Sequence, residues 1–506
     1  MSLPDHGCSV LHDAPREVPS NHASATYAIV RLVLLTMLGI GIAILFGYSR
    51  FLHGLKGGIS VFIIVLALQF SLFLVACYVV LRDGKARGVE GRALKLTGLL
   101  LVLIFAAIFR LQLVSQPPYL SSDVYRYIWD GRVQATGINP YRYIPADSAL
   151  EDLRDEAIYP LINRREFAHT IYPPAAQAMF FGVHLVTGSS VIGFKAAMSL
   201  FDLAAAVAIM LALARSGSDS SRALLFAWHP LIVWESAHSG HVEAAAVAFL
   251  AAALLAWTYR KPTLVGVALA LATLVKFYPA LLIPAFMEAA SSNNLSIGDQ
   301  GSRRTFAATL RDTLLARSNL RMLAAFVTTV VIAYLPYLSV GSQVTGYLGG
   351  YLREEGFVDS GNRYFLLALA REVLSVPQIL YSILAALVLA GFALWALTRS
   401  KRSVSHVAVL SAALIGLFLL LASPRFSWYF IWIVPFLCFA PRLGWLYLSG
   451  AALFLYLLWL TDHYPGIPIW LGAAIYAPAL VLLAVEWVKS GRRRTALLRE
   501  SVENAR

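Results

Sequence analysis

The chain has 506 residues, of which 59% are hydrophobic and 14% are charged, whereas soluble domains carry roughly 25% charged residues. This composition excludes a protein with a water-facing shell and excludes intrinsic disorder, so it indicates a polytopic membrane protein. The formal net charge is +13. Because Lys and Arg lie in short loops between apolar runs, this charge points to orientation in a membrane and not to nucleic-acid binding.

Apolar runs of about 20 residues, the length that crosses the hydrocarbon layer, follow one another along the chain. We predict membrane spans at 27–47, 58–81, 96–114, 191–213, 222–238, 242–258, 320–340, 376–398, 404–421, 427–440, 444–461 and 468–487. The apolar segment 174–188 is too short for a span, and it predicts a re-entrant or half-spanning helix.

The run 263–289 differs from the other apolar runs because basic residues flank it at both ends. We predict two short helices that rise to the outer face and return, with Lys276 at the apex. Pro279 can begin the second helix, since a residue in the first turn needs no N–H partner. An ionisable residue in an apolar segment is a functional candidate. The Lys276 ammonium suits a phosphate, and snorkelling to the lipid headgroups is the alternative.

Basic loops indicate how the chain is oriented. The loops 82–92, 259–261, 303–321, 399–402, 441–442 and 491–494 fall on one side if the N-terminus is cytoplasmic. The sequence therefore predicts an all-α bundle of about 12–14 transmembrane helices with both termini in the cytoplasm. Its parts are a cytoplasmic tail (1–26), a transmembrane domain (27–487) with large outer loops at 115–171 and 341–375, and a basic cytoplasmic tail (488–506).

The outer loop 115–171 is rich in aromatic and charged residues. Tyrosines and Trp129 alternate in it with Arg126, Arg132 and Arg142. Aromatic rings pack against the CH groups of a sugar, and a guanidinium matches the geometry of a phosphate. An interfacial aromatic belt with snorkelling arginines has the same composition, so both interpretations stay open for these side chains taken singly.

Two carboxylates of this loop, Asp123 and Asp130, are seven residues apart and would share one side of a helix. Transfer of a sugar from a lipid-linked phosphate needs one base for the acceptor hydroxyl. The leaving phosphate needs cations, whereas a glycosidase uses two carboxyl groups. One carboxylate with several Lys and Arg side chains is therefore the expected set.

A second polar cluster, His238, His241 and Glu243, lies at the outer end of a predicted helix hairpin. Such a cluster suits a divalent metal ion, hydrogen bonding to a sugar, or a structural helix cap, and hydrogen bonding to a sugar is favoured over the metal. Glu235 precedes the cluster and is expected to be buried at a helix end, where it would orient His238.

Further candidates lie on the outer side in the second half of the chain. The loop 341–375 contains Arg363 among several acids, which suit an acceptor sugar. Arg425 stands beside Trp428 and Tyr429, and we prefer it as a second partner for a phosphate.

Four sequence strings in this order resemble one family: SSDVYRYIWDGRVQATGINPYRY (121–143), TIYPPAAQ (170–177), GHVE (240–243) and LVKFYPALLIP (274–284). They resemble bacterial GT-C fold glycosyltransferases, close to the polyprenyl-phosphate-mannose-dependent mannosyltransferases. Two positions depart from the family pattern. Ser122-Asp123 stands where the family often has two adjacent acids, and Val242-Glu243 stands where it has Asn-Asp.

The resemblance implies a GT-C-like fold in a bacterial cell membrane, with an extracytoplasmic active site where Asp123 is the catalytic base. It implies transfer of a hexose, with mannose expected, from a polyprenyl-phosphate donor to an envelope glycan or glycolipid, with inversion and with no metal favoured. A transporter or flippase of a lipid-linked saccharide is the alternative. The predicted substrate-binding residues are Asp130, Arg126, Arg132, Tyr172, His238, His241, Glu243, Lys276, Arg363 and Arg425.

Overall fold

The structure of the protein, a computed structural model, describes residues 21–51, 58–82, 88–289, 305–357, 363–401, 403–460 and 466–503. Over these ranges the chain is helical and contains no strand. The α-helices are α1 (Asn21–Tyr48), α2 (Gly58–Leu81), α3 (Gly88–Val114), α4 (Asp123–Ala135), α5 (Pro174–Thr187), α6 (Val191–Arg215), α7 (Leu224–Ala227), α8 (Pro230–Val233), α9 (Glu243–Thr258), α10 (Pro262–Thr273), α11 (Ile283–Phe286), α12 (Phe306–Leu315), α13 (Arg317–Tyr334), α14 (Leu348–Glu354), α15 (Phe365–Arg371), α16 (Gln378–Leu397), α17 (Val404–Ala422), α18 (Val434–Leu437), α19 (Leu443–Ala451) and α20 (Ile469–Glu503).

Short 3-10 segments and one π-helix join these helices. The 3-10 segments are Ser49–Phe51, Ser148–Leu153, Tyr159–Leu161, Ser220–Ala223, Tyr278–Leu282, Leu335–Thr345, Ser427–Ile433 and Ala452–Leu460, and the π-helix is Trp234–His238. Most of the predicted N-terminal tail, residues 1–20, lies outside the described ranges.

Eight helical runs within the described residues are long and apolar enough to cross a membrane. They are Thr26–Phe51, Gly58–Leu81, Ala93–Val114, Val191–Arg215, Arg317–Glu354, Gln378–Leu397, Val404–Ala422 and Ile469–Ser490. Shorter apolar helices are Glu243–Thr258, Pro262–Thr273, Ser427–Leu437 and Leu443–Leu458. Large aliphatic side chains such as Ile44, Leu111 and Val481 are exposed on the outside of the bundle, which suits a hydrocarbon environment. The prediction of an all-α polytopic membrane protein is confirmed.

The predicted span 222–238 is broken into several short turns. It contains the end of the 3-10 segment Ser220–Ala223, then α7, α8 and the π-helix Trp234–His238. Pro230 begins α8, where its missing N–H costs nothing. This run is buried throughout, so its backbone is surrounded by protein and irregular structure is tolerated there.

The first large loop is folded around α4 and α5. α5 is the short helix that the sequence predicted at 174–188, and it packs closely on α4. Gly131 permits this packing, because a Cβ there would lie 2.5 Å from the carbonyl oxygen of Phe180. The connecting segment is tied down where the Tyr141 hydroxyl donates to the Tyr172 carbonyl oxygen at 2.6 Å.

The predicted pair of short helices around Lys276 is confirmed. α9 and α10 form a hairpin, and Lys276 lies in the bend after α10. Pro279 is in the first turn of the next helical segment, Tyr278–Leu282. The backbone N–H groups of Ala175 and Ala176 both donate to the carbonyl oxygen of Leu274 at 3.1 Å. This contact joins the start of α5 to the Lys276 bend.

A buried ion pair holds α3, α6 and the π-helix together below this region. The Arg110 guanidinium lies 2.8 Å from the Asp202 carboxylate, and the Ser236 hydroxyl donates to the same carboxylate at 2.6 Å. The Lys195 ammonium donates to the Leu113 carbonyl oxygen at 3.1 Å. Because α3 leads directly into the Asp123 loop, these buried bonds fix the position of that loop.

We predict that Arg110→Met lowers the stability of the protein by about 3–5 kcal/mol, because Asp202 is then left as an uncompensated buried charge. Thermal unfolding of the detergent-solubilised protein measures the loss. The control Arg311→Met removes an exposed partner of Asp312 and should cost at most about 1 kcal/mol. Arg110→Met with Asp202→Leu should recover part of the loss. Equal unfolding temperatures for Arg110→Met and Arg311→Met would contradict this role.

Candidate active site

Asp123 is the first residue of α4, and its carboxylate lies at the positive end of that helix. The Asn163 amide donates to Oδ1 at 2.6 Å, and the Tyr127 hydroxyl lies 3.5 Å from Oδ2. The side chain is 19% exposed. It is therefore an oriented carboxylate that a substrate hydroxyl can still reach.

His241 lies against Asp123 and is held from behind by Glu235. His241 Nδ1 is 2.8 Å from Glu235 Oε2, and Nε2 is 3.0 Å from the Ser121 hydroxyl and 3.9 Å from Asp123 Oδ2. The other Glu235 oxygen accepts from the Ser427 hydroxyl at 2.7 Å and also from the Tyr456 hydroxyl. A buried carboxylate thus fixes the ring whose far edge faces the candidate base.

The turn at Gly240 explains this pairing. Glu235 was expected to orient His238, but the structure joins it to His241, whose N–H also donates to the Glu235 carbonyl oxygen at 2.8 Å. Gly240 has a φ of 71°, which favours glycine, and this turn brings His241 back over the π-helix. The His238 ring instead packs edge-on against Tyr119, with ring centroids 4.3 Å apart.

Burial favours the neutral form of the His241 ring. The hydrogen bond that the ring donates to Glu235 and the charges of Glu235, Glu243 and Asp123 outweigh burial, so the pKa of His241 lies above its ordinary value. The charged form of His241 is therefore stabilised relative to that of a free imidazole.

Lys276 and Glu243 form an ion pair at the open end of the α9–α10 hairpin. Lys276 Nζ lies 2.9 Å from Glu243 Oε1, and the carboxylate is fully buried while the lysine side chain is 16% exposed. The ammonium also lies over the rings of Tyr172 and Tyr429, 5.7 Å and 5.6 Å from their centroids. Burial lowers the pKa of Lys276, but Glu243 and the neighbouring tyrosines raise it by a larger amount. The net shift of the pKa is upward, so the lysine stays charged.

Two tyrosines connect Asp123 with Lys276. The Tyr127 hydroxyl lies 3.5 Å from Asp123 and 3.4 Å from the Tyr172 hydroxyl, and the Tyr172 ring carries the Lys276 ammonium. Tyr172 also lines a cleft together with Asn163, the partner of Asp123. Tyr127 and Tyr172 therefore link the candidate base and the candidate phosphate ligand at the same end of the bundle.

The predicted residues Arg363 and Arg425 meet at a third buried carboxylate, Glu355. Arg363 Nη1 lies 3.0 Å and Arg425 Nη2 lies 3.2 Å from Glu355 Oε2, and Arg164 Nη2 lies 3.9 Å from Oε1. Arg164 pairs more closely with Glu354, at 2.7 Å, so three guanidinium groups face two carboxylates and leave an excess of one positive charge.

A hydroxyl contact joins this arginine cluster to the Lys276 bend. The Tyr351 hydroxyl, in the loop of the cluster, lies 2.6 Å from the Tyr429 hydroxyl, and Lys276 lies over the Tyr429 ring. Arg164 and Tyr351 also line the cleft that contains Asn163 and Tyr172, so the positive excess borders that cleft. Asp359, an acid of the same loop, lies outside the described residues.

Three predicted substrate-binding residues lie on α4 and contact other parts of the protein. They are Arg126, Asp130 and Arg132. Arg126 Nε donates to Asp130 Oδ1 at 2.9 Å, and Gln177 donates to Oδ2 at 3.0 Å. Arg132 donates to the Ser189 hydroxyl at 3.0 Å. These bonds anchor the loop and α5 to α4. Arg126 also lines the cleft beside Asn163, and direct substrate binding by these three residues stays a prediction.

Several site residues were missed from the sequence. Asn163 and Tyr351 are distant in sequence from the groups they contact, and neither carries a local signal. Glu355 is one of the acids of loop 341–375 that suit an acceptor sugar by sequence, and the structure pairs it with Arg363 and Arg425. The Arg126–Asp130 pair did carry one, since a pair spaced i, i+4 on a helix is a common ion pair. Within the described part of the chain, no group of three or more His, Cys, Asp or Glu side chains could hold a metal ion.

Comparison with known proteins identifies one family. Residues 29–292 match the family described as Alpha-(1->6)-mannopyranosyltransferase, N-terminal domain. The match covers more than half of the chain and includes Asp123, His241, Glu243 and Lys276, whereas Arg425 lies beyond it. No curated protein and no solved structure gives a significant match.

We predict that the stability advantage of the wild type over His241→Gln depends on pH. A histidine whose pKa is higher in the folded state than in the unfolded state stabilises the fold. This contribution is complete below the ordinary imidazole pKa of about 6.5, and it is lost as the pH rises through the pKa of the folded state. Thermal unfolding between about pH 5 and 9 should show the advantage shrinking. In a Glu235→Gln background the dependence should be weaker. An advantage that is constant with pH would contradict a charged His241.

Proposed function

Because the chain belongs to the alpha-(1->6)-mannopyranosyltransferase family, we propose that it transfers mannose from a polyprenyl-phosphate donor to a hydroxyl group of an envelope glycan or glycolipid. Family membership makes the chain a mannosyltransferase, and its apolar helices make it a multi-pass membrane protein. We add the donor, an inverting mechanism, Asp123 as the base and the extracytoplasmic face. The observation that carries the proposal is the link from Asp123 through Tyr127 and Tyr172 to Lys276.

Asp123 is proposed to accept the proton of the acceptor hydroxyl. The bond from the acceptor oxygen to the anomeric carbon forms while the bond from that carbon to the phosphate oxygen breaks, and the electron pair leaves with the phosphate. The Asn163 amide holds the carboxylate in place at the N-terminus of α4. His241, fixed by Glu235, orients Asp123 from the other side.

The leaving phosphate gains negative charge, and fixed cations stabilise it in the transition state. Lys276, Arg363 and Arg425 supply these cations in our proposal. Their carboxylate partners, Glu243 and Glu355, are buried, so they hold the cations in place from the protein side. Lys276 and Arg425, which are partly exposed, can then face the phosphate without further reorganisation, and the buried Arg363 adds its charge from behind.

The sugar rings are proposed to bind among the aromatic side chains between these charges. Tyr172, Tyr351 and Tyr429 lie around the Lys276 ammonium, and the Trp428 ring packs 4.3 Å from His241. Rings and hydroxyl groups of this kind pack against sugar CH groups and hydrogen-bond sugar hydroxyls. Asp130, Arg126 and Arg132 support this wall through the loop contacts described above.

The charges of the α9–α10 hairpin support the extracytoplasmic face. Arg260 and Lys261 lie at the end of the hairpin opposite Lys276. Short loops rich in Lys and Arg favour the cytoplasm, which leaves Lys276 and Asp123 on the other side. The polyprenyl chain would then lie between apolar helices in the outer leaflet.

We expect Asp123→Asn to lower kcat by about 100-fold to 10,000-fold, the usual contribution of a general base. Membranes that contain equal amounts of protein are given radiolabelled polyprenyl-phosphate mannose, and transfer to endogenous acceptors is measured. Asp152→Asn is the matched control, since Asp152 is an exposed carboxylate of the same loop, and it should keep full activity.

Unchanged transfer by Asp123→Asn would remove Asp123 as the base. Loss of lipid-linked mannose transport across the membrane, with transfer unchanged, would favour the flippase alternative instead.

A further inference from the structure

A second polar cavity lies at the other end of the α9–α10 hairpin, away from the candidate active site. Its volume is about 270 Å³. It is enclosed by the α9–α10 turn, the end of α11 and the start of α13. The residues that the argument uses are Trp257, Arg260, Lys261, Glu288, Asn319 and Arg321.

The cavity carries an excess of positive charge. Arg260, Lys261 and Arg321 line it, and Glu288 is the one carboxylate among the described residues that line it. Arg260 pairs with Glu288, and its guanidinium also lies over the Trp257 ring, 4.9 Å from the centroid. Two cationic side chains therefore remain in excess at the rim, which suits an anion.

The wall of the cavity is a built structure. The Asn319 side chain is buried, donates to the Glu288 carbonyl oxygen at 2.8 Å and accepts the Glu288 N–H at 3.0 Å. These two bonds fix the end of α11 against α13.

The Trp257 side chain forms part of this wall. Trp257 is only 6% exposed, and its indole N–H has no acceptor within the described part of the chain. The nitrogen itself is covered by protein, so Trp257 contributes to the site through its ring, which lies under the Arg260 guanidinium.

Exposed apolar side chains lie next in sequence to residues that line the cavity. Leu264 on α10 and Leu320 on α13 are exposed and stand directly beside residues that line it. A soluble anion gains nothing from these leucines, whereas the acyl chains of a lipid would cover them. Cations beside exposed leucines therefore favour a lipid over a free phosphate.

We infer that this cavity binds the phosphodiester headgroup of an anionic phospholipid in the leaflet opposite the candidate active site. Arg260, Lys261 and Arg321 contact the phosphate, and Leu264 and Leu320 contact the acyl chains. Basic pockets between membrane helices are suited to such headgroups.

The position of the cavity gives the bound lipid a mechanical role. α9 has 16 residues and is about 24 Å long. It begins at Glu243 in the candidate active site and ends beside the cavity, and α10 returns to Lys276. The α9–α10 turn is the closed end of the hairpin. A lipid that fixes this turn therefore also restrains the open end, where Glu243 holds Lys276.

Thermal unfolding and native mass spectrometry of the purified full-length protein test the proposal without any activity readout. Detergent-solubilised protein is titrated with phosphatidylglycerol, phosphatidylcholine or soluble glycerol phosphate. Of these three compounds, we expect only phosphatidylglycerol to raise the unfolding temperature and to remain bound in the mass spectrum. Arg260→Gln with Arg321→Gln should weaken its binding about 30-fold, at roughly fivefold for each basic residue.

Arg399→Gln is the matched control. Arg399 also follows the end of a helix and lies over a tryptophan ring, 4.3 Å from the centroid of Trp395, but it does not line the cavity. This variant should bind phosphatidylglycerol like the wild type. Equal stabilisation by phosphatidylcholine or by glycerol phosphate would overturn the proposal, and so would unchanged binding by the double variant. The wild-type titration decides the question even if the double variant does not fold.

Discussion

The ion pair of Lys276 with Glu243 is the interaction on which the candidate site depends. Glu243 is fully buried and Lys276 is nearly so, and a charge that leaves water without a partner is strongly unfavourable. The pair therefore fixes the open end of the α9–α10 hairpin. Because the bend also holds the start of α5 through the Leu274 carbonyl oxygen, the same constraint positions Tyr172 and, through Tyr127, the Asp123 carboxylate.

The same design recurs at each cation of the candidate site. Glu235 holds His241, and Glu355 holds Arg363 and Arg425, each from the buried side. Removal of one partner of a buried ion pair strongly destabilises a protein, whereas replacement of the whole pair by apolar residues is often neutral. These pairs therefore suit a role in specificity and positioning. A mannosyltransferase that releases a phosphate needs cations whose positions are fixed before the sugar moves, and buried carboxylate partners provide that fixation.

Hydropathy was enough to predict the helical membrane architecture and the short helix at 174–188, because a span needs a fixed length of apolar residues. Basic flanks and Pro279 predicted the Lys276 bend. The break inside 222–238 did carry a signal in Pro230, because a proline inside an apolar run ends or kinks a helix. The span prediction followed the apolar length of the segment and passed over this residue. Pairing of Asp123 with Asn163, and of Glu235 with His241, depends on tertiary packing and on the turn at Gly240, which no local pattern reports.

Labelling of single cysteines in intact cells tests the central claim most directly. The chain has only three cysteines, Cys8, Cys77 and Cys438, so a variant without them can carry Ser122→Cys, Phe277→Cys or Lys261→Cys, each at an exposed position. We predict that a membrane-impermeant maleimide labels Ser122→Cys and Phe277→Cys from outside, and Lys261→Cys only after permeabilisation. Labelling of Ser122→Cys and Phe277→Cys from opposite sides of the membrane would contradict a single site that contains both Asp123 and Lys276.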